Sequence, residues 1–298
     1  MFLKKRVIQM GMFEPVTREK AKLRLALTGV SGSGKTLSSL YIAYGLTGDW
    51  SKVALIDTEH QRGRFYANRE DLGTGQYLYA DFIPPYSPSR YKEAVQEGAD
   101  MVGPDGVVII DSFSHAWNNE GGILDIKDAI SKRQGQNSYT AWADAGKEQN
   151  ALVNTILSVP CHTIVTMRSK MEYALELNDK GKQVPVKMGL SPIQRDDTEY
   201  EFDIVLNLSR DHIATTSKDT TFLDEYGSII TPELGEQLRE WLSNGEEPRR
   251  CEVCGKIIRP YGSKSVQDIV HGSQDLMGKM ACMPCCIQYS REKKAEAK

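Results

Sequence analysis

Eight consecutive residues, Gly29-Val30-Ser31-Gly32-Ser33-Gly34-Lys35-Thr36, spell G-x-x-x-x-G-K-T between an apolar run and a helix-like pattern. Glycines in such a loop let backbone N–H groups wrap phosphate oxygens, a lysine neutralises the β- and γ-phosphates, and the following hydroxyl binds Mg2+ at a helix N-terminus. Gly29, Ser31, Gly32, Ser33, Gly34, Lys35 and Thr36 are thus the expected ATP contacts of a Walker A loop. About 70 residues further on, the run Gly106-Val107-Val108-Ile109-Ile110-Asp111 reads as a buried strand ending in a carboxylate. Asp111 is expected to hold the same Mg2+ as Thr36. Between them, Val53-Ala54-Leu55-Ile56-Asp57-Thr58-Glu59-His60 places acids at the edge of a sheet where open α/β folds bind their ligands.

A second chemistry sits near the end of the chain. Cys251-Glu252-Val253-Cys254 and Cys282-Met283-Pro284-Cys285 are two C-x-x-C pairs separated by 27 residues. Four thiolates at this spacing suit a tetrahedral structural Zn2+ site, and a module so small would depend on the metal to fold. Cys286 and His271 are alternates for one ligand position. Zinc would serve here either DNA contact, given the cations around it, or protein docking.

The elements that must position these groups follow from periodicity. Strands are expected at 23–27, 53–56, 107–110, 162–166 and 202–206, alternating with helices, the pattern of a mainly parallel sheet flanked by helices. The first helix shows Leu37, Leu40, Tyr41 and Tyr44 as one apolar stripe; another is expected from about 139 to 158, with Trp142, Leu152, Ile156 and Leu157 facing the core. A last helix starts at Thr231-Pro232 and ends near Leu242. The polar stretch 243–248 reads as a linker. The expected organisation is an N-terminal arm over 1–20, an α/β core over 21–245, and a zinc-ribbon module with a charged tail over 246–298.

The chain has 298 residues, 40% of them hydrophobic, and a formal net charge of −3. Residues 249–298 hold ten Lys/Arg and five Asp/Glu, a balance of +5 that leaves −8 on residues 1–248. No apolar run approaches the roughly 20 residues of a membrane span, and the basic start lacks the apolar stretch of an export signal. Five of the six cysteines crowd into the last 50 residues, which favours a metal site in a reducing compartment over a disulfide framework. The expected location is cytoplasmic.

Several segments, taken together, resemble a known family. Asp57-Thr58-Glu59-His60 is similar to the RecA-type segment that carries the glutamate orienting the attacking water. Ser112-Phe113-Ser114-His115-Ala116-Trp117, the run from Cys161 to Lys170, and Glu199-Tyr200-Glu201-Phe202-Asp203 resemble phage-encoded AAA/RecA-core ATPases of the Sak type, associated with single-strand annealing and recombination. The similarity covers roughly residues 22–242. It implies a RecA-like P-loop fold, Glu59 as general base, and Arg168 as a sensor of the γ-phosphate, at a place where RecA has glutamine. It implies Lys218 as a cation offered across a subunit interface, and assembly into a ring or short filament in a phage-infected or prophage-carrying cell. Glu59 could instead only cap a turn, and Arg168 and Lys218 could be surface cations.

The stretch 180–195 contains four cations, no acid, two glycines and two prolines, so a helix is not expected there. A flexible cationic loop beside an ATP sensor suits contact with single-stranded DNA through Lys180, Lys182, Lys187 and Arg195; a lid over the nucleotide is the alternative. The arm, with Phe2, Ile8 and Phe13, could pack on a neighbouring subunit. His115, His162 and His212 lie at strand ends and read as structural. The function expected is a DNA-stimulated ATPase acting on single-stranded DNA. The alternative is an ATP-dependent adaptor docking on a replication or single-strand-binding protein through its zinc module.

Overall fold

The computed structural model describes residues 17–132, 138–177 and 183–296. Phe2, Ile8, Phe13, Lys180 and Lys182 lie outside them, as does the side chain of Lys187. The chain divides into two compact units, Lys22–Leu242 and a smaller one that joins residues 17–21 to 243–298.

The larger unit holds β1 (Arg24–Gly29), α1 (Lys35–Thr47), β2 (Val53–Asp57), β3 (Leu78–Asp81), α2 (Pro88–Val102), β4 (Val107–Asp111) and α3 (His115–Asn118). It continues through α4 (Ile123–Ser131), α5 (Ser138–Ser158), β5 (His162–Leu177), β6 (Gln183–Pro192), β7 (Ile204–Leu208), β8 (Ile213–Lys218), β9 (Gly227–Ile229) and α6 (Pro232–Ser243). The nine strands form one sheet in the order β3-β2-β4-β5-β1-β7-β8-β9, with β6 paired to β5. β1 to β5 and β7 are parallel, and β8 and β9 add antiparallel at one edge.

Parallel strands covered on both faces need apolar residues at every position, and VALID and VVIID supply them. On one face Leu25, Leu27 and Ile109 pack with Leu40 and Ala43 of α1 and Leu234 and Leu238 of α6. On the other, Ala26, Val108 and Ile110 pack with Val95 and Ala99 of α2 and Leu152 and Ile156 of α5. Each fully buried Leu, Ile or Val contributes about 1.5–3 kcal/mol to this core.

The expected strands and helices are present with three differences. The stripe assigned to α1 is only half-buried at Leu37, Tyr41 and Tyr44, because the helix is enclosed on a wider face that buries Ser39, Ile42, Ala43 and Leu46. There Gly45 meets Gly235 of α6 so closely that a Cβ on Gly45 would lie 2.0 Å from the Pro232 carbonyl. Trp142 is not core: it is 43% exposed and stacks on Trp117 with ring centroids 6.1 Å apart. The expected loop at 180–195 is mostly strand: β5 runs on past the sheet and pairs antiparallel with β6, Leu177 opposite Gln183.

In the smaller unit the expected linker is tied down. Lys20 donates its N–H to the Glu246 carbonyl (2.9 Å), and Glu246 donates to Arg18 (2.8 Å), a short parallel bridge. The cysteine module has α7 (Val266–Met277), opened by a reciprocal Ser265/Asp268 capping box, and α8 (Met283–Glu296). Its described β structure is limited to isolated bridges, Arg250 with Ile257 and Tyr261 with Lys264. No helix among the described residues is long and apolar enough to cross a membrane.

Candidate active site and candidate metal centre

β1 ends at Gly29, and the loop that follows turns through Gly32 (φ +79°) and Gly34 (φ +88°), left-handed conformations that favour glycine. A Cβ on Gly34 would also lie 2.9 Å from Nδ1 of His212, which stands in the turn after β7. The Lys35 ammonium folds over the loop and donates to the carbonyls of Gly29 and Val30, both at 2.9 Å. Burial lowers the Lys35 pKa below the usual lysine range, against the raising influence of Asp111 and Glu59. The buried Ser33 Oγ has no protein partner.

Parallel register brings the acids to the same edge: Asp57 of β2 pairs with Asp111 of β4, and Gly29 of β1 with Arg168 of β5. Asp111 is fully buried and accepts from the Thr36 hydroxyl (2.5 Å) and from the Thr166 hydroxyl of β5. Burial raises its pKa above the usual carboxylate range, and these two hydrogen bonds oppose the rise. A hydroxyl and a carboxylate side by side, both hard oxygen donors, next to an orphaned serine hydroxyl, fit a Mg2+-nucleotide.

Asp57 has a different task. It accepts from the N–H of Glu59 (2.6 Å), the N–H of Gly63 (2.8 Å) and the Tyr79 hydroxyl (2.9 Å), which fixes the turn that presents Glu59. The Glu59 side chain is 12% exposed and paired with Arg168, Nε to Oε1 at 2.7 Å and a guanidinium nitrogen to Oε2. Burial raises the Glu59 pKa, but Arg168, then His115 and Arg62, more than offset it and hold the carboxyl below its usual range. The backbone N–H of Arg168 donates to Ser114 Oγ at 2.9 Å, so the guanidinium is carried on a fixed strand.

The structure thus brings together the loop, Asp111, Glu59 and Arg168. It does not bring Lys218 to them: its ammonium donates to the Tyr200 carbonyl at 2.5 Å, and it pairs with Val205, three residues down β7 from the Leu208 that faces Gly29. Arg195 sits below the hairpin, donating to Asn150 of α5 at 2.8 Å. Thr166 and Thr58 were not singled out in the sequence, and His115 read there as structural. The hydroxyl Thr166, adjacent to Met167-Arg168 at a strand end, and the hydroxyl-rich run after Asp111 were the available signals.

In the smaller unit the sulfurs of Cys251, Cys254, Cys282 and Cys285 all lie within 4.8 Å of one another. Cys254 and Cys282 are 3.7 Å apart, close to the edge of about 3.8 Å that a tetrahedron with 2.3 Å metal–sulfur bonds requires. Burial raises the Cys251 thiol, but backbone N–H groups of Cys282, Cys254 and Val253 outweigh it and bring the pKa down to about 6. Burial pushes the Cys282 and Cys285 thiols the other way, so it is the spacing of the four sulfurs that fits them to hold a metal. Cys286 is buried with its S–H directed at the Ala281 carbonyl, and His271 pairs with Asp275, which leaves both outside the cluster.

A nucleotide loop at the C-terminal edge of a parallel sheet, with a buried carboxylate beside it, defines a P-loop ATPase core. A profile of the AAA domain family matches residues 21–225, and the chain belongs to that family. A comparison with curated proteins finds no match.

Proposed function

We propose that this AAA-type ATPase is a RecA-like recombination protein, of phage or prophage origin, that couples ATP hydrolysis to binding of single-stranded DNA. The observation that supports it is the continuity of β5: Arg168, paired with Glu59, lies on the strand that runs on into the hairpin with β6. Lys35 binds the β- and γ-phosphates, and Thr36 and Asp111 hold Mg2+, which supplies neutralisation of phosphate charge. Glu59 accepts the proton of the water that attacks the γ-phosphorus while the bond to the β–γ bridging oxygen breaks. Arg168 senses the γ-phosphate. Lys180 and Lys182, between β5 and β6 in the sequence, Lys187 in β6 and Arg195 after it meet DNA phosphates, and Lys218 serves a neighbouring subunit in a ring or filament. Zinc, on the four cysteines, holds the C-terminal module together.

The test is fluorescence anisotropy of a labelled single-stranded oligonucleotide with Mg-ATP, Mg-ADP or no nucleotide, at one fixed salt concentration. Affinity should rise with ATP, and reversing the charges of Lys182 and Lys187 should remove the rise. Absence of binding in every state would favour the adaptor reading instead. One observation gives that reading substance: a groove of about 360 Å³ between α7 and α8, with Ile269, Leu276 and Ile287 among its lining and Lys264, Arg291 and Lys294 beside them.

A further inference from the structure

His115 opens α3, four residues after Asp111, and its side chain is 2% exposed. Its Nδ1 lies 2.6 Å from the Thr58 hydroxyl. That hydroxyl oxygen accepts from the Ser112 N–H at 2.8 Å, and its own hydrogen can go to His115 Nδ1 or to the Ser112 carbonyl at 3.4 Å. Two arrangements satisfy these contacts: the hydroxyl donates to Nδ1 and the ring proton stands on Nε2, or Nδ1–H donates to the hydroxyl, which turns to the Ser112 carbonyl; only the first presents a proton on the Glu59 side of the ring. Burial, reinforced by the charge of Arg168, lowers the His115 pKa to about 4, which keeps the ring neutral near pH 7.

Nε2 is buried and has no hydrogen-bond partner, and in the first arrangement it is a donor. A buried donor left unpaired is unfavourable, and structures rarely keep one without a use. The nearest acceptor charge is Glu59 Oε1, at 3.9 Å, beyond hydrogen-bonding distance and held away by Arg168. The ring itself is fixed: Thr58 grips one side, and the Tyr86 ring lies 5.2 Å from it, centroid to centroid.

We infer that the Glu59 carboxylate has two alternative partners, the Arg168 guanidinium seen here and the Nε2–H of His115, and that His115 positions Glu59 toward the attacking water once Arg168 turns to the γ-phosphate. This rests on the reading of Glu59 as general base. A carboxylate paired with a guanidinium is a weak base, so the Arg168 pair is a resting state. A neutral imidazole N–H orients the carboxylate without neutralising it. A shift of about 1 Å is enough to close the 3.9 Å gap to ordinary hydrogen-bonding length.

Two substitutions in the full chain separate this role from a structural one. In His115→Gln the amide nitrogen can occupy the Nε2 position facing Glu59; in His115→Asn an amide group can keep the Thr58 contact and nothing reaches Glu59. His115→Gln should keep kcat for ATP within about threefold, and His115→Asn should lose roughly 10- to 100-fold, with KM and the affinity for a fluorescent ATP analogue changed less than about twofold in both. Nitrogen-15 NMR of the histidine-labelled, nucleotide-free protein should show His115 neutral with the proton on Nε2. The opposite order of the two variants, equal kcat in both, or a proton on Nδ1 would overturn the inference. Glu59→Gln is the reference: if it keeps wild-type kcat, the general-base reading and the inference fall together. If it abolishes turnover while His115→Asn does not, the inference alone falls.

Discussion

Asp57 and Asp111 stand at the same register on neighbouring strands, yet the first is occupied by backbone N–H groups and a tyrosine, and the second by two threonine hydroxyls. Partners, more than position, divide their labour: one builds the turn and the other is held beside the Thr36 hydroxyl at the end of the nucleotide loop. Buried histidines show the same logic in stability. His162 accepts the Leu23 N–H on Nδ1 at 3.0 Å, and burial lowers its pKa to about 3; His115 is lowered to about 4. Folded-state values below the unfolded value near 6.5 mean the unfolded chain binds more protons under acid conditions. Their contribution to stability is complete above pH 6.5 and is lost as pH falls toward 4. From His162 alone the loss between pH 6.5 and 5 should be about 2 kcal/mol. Urea unfolding at pH 7 and pH 5 should show the drop, and His162→Asn, which keeps an acceptor for Leu23 but does not titrate, should remove about half of it.

Among the elements, α5 and β5 are joined by one side chain from β1. Arg24 donates to the carbonyls of Leu157 (2.9 Å), Val159 (2.6 Å) and Cys161 (2.5 Å), where α5 ends and its backbone acceptors have no helical partner. Arg24→Met should cost about 2–4 kcal/mol in chemical denaturation, and Arg24→Lys should recover only part, since one ammonium cannot span three carbonyls. The sheet itself was legible in the sequence, because VALID and VVIID are continuous apolar runs ending in acids, a pattern a buried parallel strand requires. The loop, Asp111 and the four cysteines stood out by residue type and spacing, whereas Glu59 and Arg168 were singled out by the family resemblance alone; the structure places those two side by side. The hairpin was not legible. Pro185, Gly189 and Pro192 obscured it, yet Val184, Val186, Met188 and Leu190 alternate in the sequence, and among the described residues β6 pairs with β5 alone, so it is an edge strand where proline is tolerated. Thr58 did not stand out and His115 read as structural, because a contact between them and an unpaired buried ring nitrogen exist only in three dimensions.

At the scale of the whole molecule, two units differ in what supports them. Lys22–Leu242 has a two-faced apolar core, whereas the cysteine unit buries a small cluster around Ile258, Ile269 and Ala281. With zinc bound at the four cysteines, removal by a chelator should unfold the smaller unit alone. Hydrogen exchange should then accelerate across 251–286, while the ATPase core keeps its protection and its own thermal transition. The larger unit carries a different consequence in its longest strand. β5 runs unbroken from the parallel sheet, through Arg168, to the hairpin. Thermodynamic linkage is reciprocal, so if ATP tightens any ligand of that hairpin by some factor, the ligand must tighten ATP by the same factor. A partner of the hairpin would therefore announce itself without being labelled, as a change in the dissociation constant of the nucleotide at the other end of the strand.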